Sequence, residues 1–212
     1  MNPIYLFMDA LVPTVCAVCS SPVEGGLICA RCSATRAVQV GAPHPLIECR
    51  SLGPYRGPLG DAIRAAKYGR NLILVDALGR WLGQSVDGWG PFDAVVPVPA
   101  PWTRRVIRGF DHGHRLARAV ARSCEVPFVP VLRHSGFARQ VGRSASARRD
   151  LSDRAFVSRR PLRGVRALLV DDVMTTGATM AAASRALKAV GVETVSGVVI
   201  AHSPCKGNNT KS

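Results

Sequence analysis

Apolar positions along this chain change character near residue 50. Residues 13–50 are rich in Pro, Cys and Gly and follow neither a period of 2 nor one of 3.6. Such a segment cannot bury a core of its own and must be stapled. From Tyr55 onward the pattern is regular. Leu59, Ile63 and Ala66 stand at helical spacing behind Pro58, and Leu72, Val75, Leu78 and Leu82 repeat it, which predicts two consecutive helices. Residues 93–99 carry the β-branched run of a buried strand, ended by prolines. Residues 113–123 predict a helix with Leu116, Ala117, Val120 and Ala121 inward, and residues 128–132 a short strand. Residues 139–160 hold seven arginines and little period, and read as a loop with at most a helical turn or two. The run Ala167-Leu-Leu-Val, bounded by Asp171, has the length of a buried parallel strand. Residues 178–190 predict a helix with Met180, Ala183, Leu187 and Val190 inward and Gly191 as its stop, and residues 195–201 the next strand.

This strand–helix alternation predicts an α/β fold, a mainly parallel sheet flanked by helices. No internal repeat is visible. The 212 residues are 47% hydrophobic and 20% charged, too apolar a balance for intrinsic disorder. The chain divides into a small N-terminal module, 1–50, a main domain, 51–203, and a flexible tail, 204–212. No apolar run approaches the ~20 residues of a membrane span. Residues 1–13 lack a basic n-region and a small-residue cleavage site, and Asp9 interrupts them, so no signal peptide is expected.

The formal net charge is +14, and it is concentrated: residues 101–166 hold sixteen arginines against four acids, leaving +2 for the other 146 residues. That stretch attracts anions, either nucleic-acid phosphates or a polyphosphate small molecule. A basic solvated face, inflated by a preference for Arg over Lys, is the plainer alternative. The aromatic residues interleaved with the arginines are few, a thin platform for stacking bases.

Cys16, Cys19, Cys29 and Cys32 form two CxxC pairs separated by nine residues, while Cys49, Cys124 and Cys205 stand alone. Each pair can point two thiolates at one ion, and together they complete the tetrahedral sulfur shell that Zn²⁺ accepts. Four protein ligands leave no open position, so such a site is structural. A secreted disulfide scaffold would spread its cysteines through the chain, so a reducing, cytoplasmic setting is expected. A redox pair is the competing reading, without the strand-to-helix setting that tunes one.

The densest chemistry lies in Asp171-Asp172-Val173-Met174-Thr175-Thr176-Gly177-Ala178-Thr179. Two carboxylates end a buried strand, at the edge where open α/β sheets bind ligands. A Thr/Gly loop then opens a helix, and its amides and hydroxyls make an anion nest. Acids beside a phosphate nest suit a sugar phosphate: the carboxylates accept from ribose hydroxyls while the loop holds the 5′-phosphate. The alternative has two loop acids and Thr176 as a simple helix N-cap.

This segment closely resembles the phosphoribosyl-pyrophosphate signature of type I phosphoribosyltransferases. With the four-cysteine cluster, Lys67-Tyr68, Val95-Val-Pro-Val-Pro99, Arg104, Arg105, Arg108-Gly109-Phe110, Gln140 and Arg148, residues 14–203 resemble the ComF family (competence protein F, amidophosphoribosyltransferase-like). The resemblance implies the phosphoribosyltransferase type I fold behind an N-terminal zinc ribbon. It implies a phosphoribosyl pyrophosphate or ribose phosphate ligand carried with Mg²⁺, and pentosyl transfer to an amine or nucleobase. Asp171 and Asp172 would be the catalytic acids, and Val173 to Thr179, Val98, Pro99 and Lys67 would contact the ligand. Arg104, Arg105 and Arg108 would neutralise departing pyrophosphate. A non-catalytic alternative implied by the family is a role in DNA uptake, with single-stranded DNA or competence and recombination proteins contacted through 101–166. The chain departs from the family pattern at Asp111-His112, where Asn-Gln is usual, and at Arg143 and Asp150. The five histidines lack metal-ligand spacing and read as surface or capping residues; Trp81, Trp89 and Trp102 read as packing.

Overall fold

Val195, Val198, Val199 and Ala201 of one strand and Ala167, Leu168, Leu169 and Val170 of its neighbour are at most 1% exposed. A strand apolar on both faces belongs in the middle of a parallel sheet with layers on either side. The computed structural model describes residues 15–23, 25–69, 71–100, 111–135, 155–158 and 160–203.

In chain order these form α1 (Ala30–Ser33), β1 (Val38–Val40), β2 (Glu48–Pro54), α2 (Gly57–Tyr68), α3 (Leu72–Ser85) and β3 (Ala94–Pro97). Then come α4 (His112–Ser123), β4 (Leu132–His134), β5 (Phe156–Ser158), β6 (Arg166–Met174), α5 (Ala178–Lys188) and β7 (Thr194–His202). The main sheet has the order β1-β2-β7-β6-β3; β1 pairs antiparallel with β2 and every other pair is parallel.

Alternation along β6 sorts the core into two layers. Leu168 and Val170 pack with Ile63 of α2, Leu78 and Leu82 of α3, and Leu116 and Val120 of α4. Ala167 and Leu169 face the other way, onto Met180, Ala183 and Leu187 of α5 and onto Leu132 and Phe156 of the β4–β5 hairpin. Helices α3 and α4 approach closely where α3 carries Gly79: a Cβ there would lie 2.5 Å from Ala119 Cβ and 2.8 Å from the Leu116 carbonyl. No described helix is long and apolar enough to cross a membrane.

The predicted helices all form, and Gly191, at φ +91°, closes α5 by donating to the Lys188 carbonyl. The strands differ in three places. Strand β6 does not stop at Val170 but runs on to Met174, because β7 keeps pairing with it as far as Met174↔His202. Its other neighbour, β3, ends at Pro97↔Val170, where Pro97 and Pro99 offer no N–H to extend the ladder. Residues 128–132 do not form the expected strand. Phe128 makes a single parallel bridge to Val95, and the strand proper is β4, paired antiparallel with β5 from inside the arginine-rich loop. Finally, residues 38–40 and 48–54 join the main sheet, and position 50 falls within β2. Ser51 and Gly53 blur the apolar alternation of that strand; the buried Ser51 hydroxyl is satisfied by donating to the Gly53 carbonyl at 3.0 Å. Residues 136–154, 159 and 204–212 lie outside the described set.

Candidate functional site

The four cysteines converge. Their Sγ atoms all lie within 4.8 Å of one another, and Cys19 and Cys29 are 3.5 Å apart. A tetrahedral ion with sulfur at about 2.3 Å needs sulfurs about 3.8 Å apart, so the cluster fits a four-thiolate metal shell. Backbone amides already point at the sulfurs: Cys29 N–H and Val18 N–H donate to Cys16 Sγ at 3.3 and 3.5 Å, and Cys32 N–H donates to Cys29 Sγ at 3.5 Å. Hydrogen bonding from the Ser21 hydroxyl, and then from its amide, draws Cys19 down to about 5, favouring the thiolate. The module leans on α3: Trp81 Nε1 donates to the Thr35 carbonyl at 3.3 Å and Arg36 to the Gln84 carbonyl at 2.8 Å. The group can hold a metal ion. Cys49 takes no part; it is buried beneath Met174, its Sγ 3.9 Å from the thioether.

At the carboxyl edge of the sheet a cleft of about 540 Å³ opens where β6 outruns β3. Asp171 and Asp172 are successive strand residues and so point to opposite faces of the sheet. Asp172 meets α2: its Oδ2 lies 2.8 Å from Lys67 Nζ, with side-chain exposures of 20% and 14%. Asp171 accepts the Asp172 amide at 2.8 Å. Both border the cleft, which wraps around the free margin of β6. Thr175, Ala178 and Thr179 form the next stretch of rim, where α5 begins with the Ala178 amide donating to Thr176 Oγ1 at 3.4 Å.

Gly177, not Thr176, caps α5, at φ +76°. A Cβ there would sit 2.9 Å from Cβ and Cγ of Pro43, so the turn demands glycine twice over. Gly177→Ala is expected to destabilise the protein by about 2 kcal/mol or more, from left-handed backbone strain plus the clash. Urea unfolding measures it; a loss below about 0.5 kcal/mol would contradict this account of the turn.

The opposite wall is the chain leaving β3. Val98 donates to the Val170 carbonyl at 2.9 Å, and Val98, Pro99 and Ala100 line the cleft. Gly113 lets α4 press against this loop, since a Cβ there would lie 2.8 Å from the Val98 carbonyl.

Of the residues singled out in the sequence, the cleft thus gathers Lys67, Val98, Pro99, Asp171, Asp172, Val173, Thr175, Ala178 and Thr179. Thr176 and Gly177 shape the loop without lining it, and Met174 turns into the core at 8% exposure. Arg104, Arg105, Arg108, Gln140 and Arg148 lie outside the described residues. Eight further lining residues were not foreseen: Tyr55, Ala100, His112, Gly113, His134, Ala155, Phe156 and Ala182. Two of the histidines are therefore neither surface nor simple capping residues, and His112 is 5% exposed. Tyr55 follows Pro54 at the carboxyl end of β2, a position that the strand-end rule would have flagged had β2 been recognised.

A family model described as phosphoribosyl transferase domain matches residues 65–211. The DNA utilization protein YhgH of Salmonella typhimurium is 30% identical over 204 residues, covering 85% of this chain and 87% of that protein. Competence protein F of Haemophilus influenzae is 34% identical over 157 residues, covering 68% of each chain. Competence protein ComFC of Bacillus subtilis is 23% identical over 176 residues, covering 82% and 71%. Among solved structures, the glutamine phosphoribosylpyrophosphate amidotransferase of B. subtilis is similar at a TM-score of 0.45 and 20% identity, over 59% of this chain and 25% of that one.

Proposed function

This chain belongs to the phosphoribosyl transferase domain family, among the relatives of competence protein F, and from that premise we propose that its cleft binds Mg²⁺-phosphoribosyl pyrophosphate or a related ribose 5-phosphate. One observation carries this reading. Two carboxylates and the threonines on either side of a helix start, Thr175 and Thr179, share one rim of the cleft, so acceptors for sugar hydroxyls stand beside a phosphate nest. Thr175, Thr179 and the first amides of α5 hold the 5′-phosphate. Asp171 and Asp172 accept hydrogen bonds from the ribose hydroxyls, Asp172 while tethered to Lys67. The pyrophosphate then lies against residues 98–100, which Arg104, Arg105 and Arg108 follow in sequence.

With a nitrogen acceptor present, the C1–oxygen bond to pyrophosphate breaks and a bond from nitrogen to C1 forms. The carboxylates fix the sugar for this step, and the arginines meet the developing leaving-group charge. Mg²⁺ bound with the pyrophosphate would supply further neutralisation of that charge. Zn²⁺ is the ion proposed for the cysteine cluster, in a closed and purely structural shell, and reduced thiols there suit a cytoplasmic location.

Calorimetric titration with phosphoribosyl pyrophosphate, with and without Mg²⁺, tests the proposal. Saturable, Mg²⁺-dependent binding supports it; no heat at millimolar ligand in folded protein overturns it. A second reading draws on the printed names of the relatives, DNA utilization and competence, and on the exposed Arg133, Arg160 and Arg163 within 101–166. In this reading the basic surface contacts single-stranded DNA. Such binding would weaken with salt at a slope of about −0.7 per neutralised phosphate.

A further inference from the structure

His134 closes β4 and places its ring in the cleft, where Nε2 lies 3.0 Å from the Pro99 carbonyl. The ring rests on Phe156 of β5, centroids 4.7 Å apart and tilted by 44°. One side chain thereby joins two walls that are built separately. The hairpin is closed by its own ladder and by Ser135 N–H donating to the Ala155 carbonyl. The loop after β3 is anchored instead to β6, through Val98 N–H and the Val170 carbonyl.

The surroundings make this ring responsive to charge. Half-burial disfavours the imidazolium and holds His134 below the ordinary histidine value, against the opposing pull of the Pro99 and Ala155 backbone and of Asp111. Among the described residues, the charged or titratable groups facing it are Tyr55 after β2, Lys67 of α2, Asp111 and His112 at the start of α4, and Asp171 and Asp172 of β6. Lys67 is committed to Asp172. Arg133, its neighbour on β4, is exposed on the other side of the strand. A phosphorylated ligand adds several negative charges to this space, and imidazole is the side chain that changes charge most readily near neutral pH.

We propose that His134 is a positioning residue that clamps the β4–β5 hairpin to the loop after β3, and that it takes up a proton from solvent when a phosphorylated anion enters the cleft. This rests on the reading of the cleft as a phosphate site. Neutral imidazole donates from one nitrogen. Protonated, it donates from both, so the Pro99 bond is kept while the second N–H turns to the Ala155 backbone. The clamp thus tightens as the anion arrives. By linkage, an anion that raises the proton affinity of the ring binds more tightly as the pH falls toward the ring's free-state value, by up to about tenfold per unit.

The test compares wild type with His134→Gln, whose amide can still donate to Pro99 but cannot take a proton. Both are titrated with inorganic pyrophosphate plus Mg²⁺ at pH 6, 7 and 8, in two buffers of different ionisation enthalpy. The ligand's own titration cancels in the comparison. Wild type should take up more protons than His134→Gln and bind several-fold tighter at pH 6, the advantage vanishing by pH 8. Identical proton uptake and identical pH profiles would overturn the proposal and leave the phosphate-site reading standing. Absence of binding to either protein would overturn both. An NMR titration of the His134 ring in wild type needs no variant: its midpoint should lie below about 6.5 in the free protein and rise with Mg-pyrophosphate. An unchanged midpoint in protein that binds the ligand refutes the proton uptake.

Discussion

Asparagine at both Asp171 and Asp172 is expected to weaken phosphoribosyl pyrophosphate binding by at least two orders of magnitude while the protein stays folded. A hydrogen bond to a charged acceptor contributes about 1.5–3 kcal/mol, so losing two of them reaches about 3–6 kcal/mol, or about 150-fold to about 20,000-fold in affinity. The substitution is nearly isosteric, so the cleft keeps its shape. The two positions should not behave alike, however. Asp171 is bonded to the neighbouring amide, whereas Asp172 also neutralises Lys67, which is only 14% exposed. Asp172→Asn therefore strands a largely buried ammonium, and part of its effect should appear as a lower melting temperature. Adding Lys67→Met should restore that stability without restoring affinity. Calorimetry on the single and double variants, with single-stranded DNA titrated in parallel, reads each effect. Full retention of ligand affinity in the double variant would remove the carboxylates from the site. Equal loss of ligand and DNA binding would count against two separate surfaces.

The parts of this site that were legible in the sequence are those whose residue types permit few alternatives. Gly177 between threonines, two acids after a buried apolar run, and two CxxC pairs each restrict the local chemistry to a short menu, and the structure assembles both groups. What escaped depends on contacts distant in sequence. Strand β6 continues past Val170 only because β7, twenty-eight residues further on by register, keeps pairing with it. Strand β2 was hidden because Ser51 and Gly53, both buried, interrupt the apolar signal, and Tyr55 was hidden with it. The β4–β5 hairpin is three residues on each side and pairs Leu132 with Ser158, so neither strand is long enough to show a period. His134 and Phe156 reach the cleft through that pairing, which is why spacing alone gave His134 no role.

Chelation of a metal ion held by the four cysteines, or Cys29→Ser, should disturb the structure more than any of the other substitutions. Cys29 is the hub of the cluster: its amide donates to Cys16 Sγ, its own Sγ accepts from Cys32 N–H, and it lies 3.5 Å from Cys19 Sγ. It is also the N-cap of α1, a helix of four residues none of which is buried. Among the described residues, the module has no apolar core of its own to hold it together. Its partly buried Ala17, Val18, Leu27 and Ile28 pack outward, onto the core beneath α3, instead of onto one another as a separate core. Metal binding stabilises zinc-finger peptides by about 10–16 kcal/mol, and an ion held here would accordingly outweigh every other contribution to the folding of this segment. In the variant, bound zinc measured by mass spectrometry should fall from one per chain to near zero, and limited proteolysis should cut within residues 15–34. The damage should then reach the main domain by one identifiable route. Losing the Thr35 carbonyl would leave the Trp81 indole N–H without its acceptor, at a residue only 4% exposed, and tryptophan emission should shift to the red. If the metal-free protein kept its emission and its protease resistance, the module would be held by packing against α3 and not by the ion. The four-sulfur cluster would then be a consequence of the fold and no longer its cause.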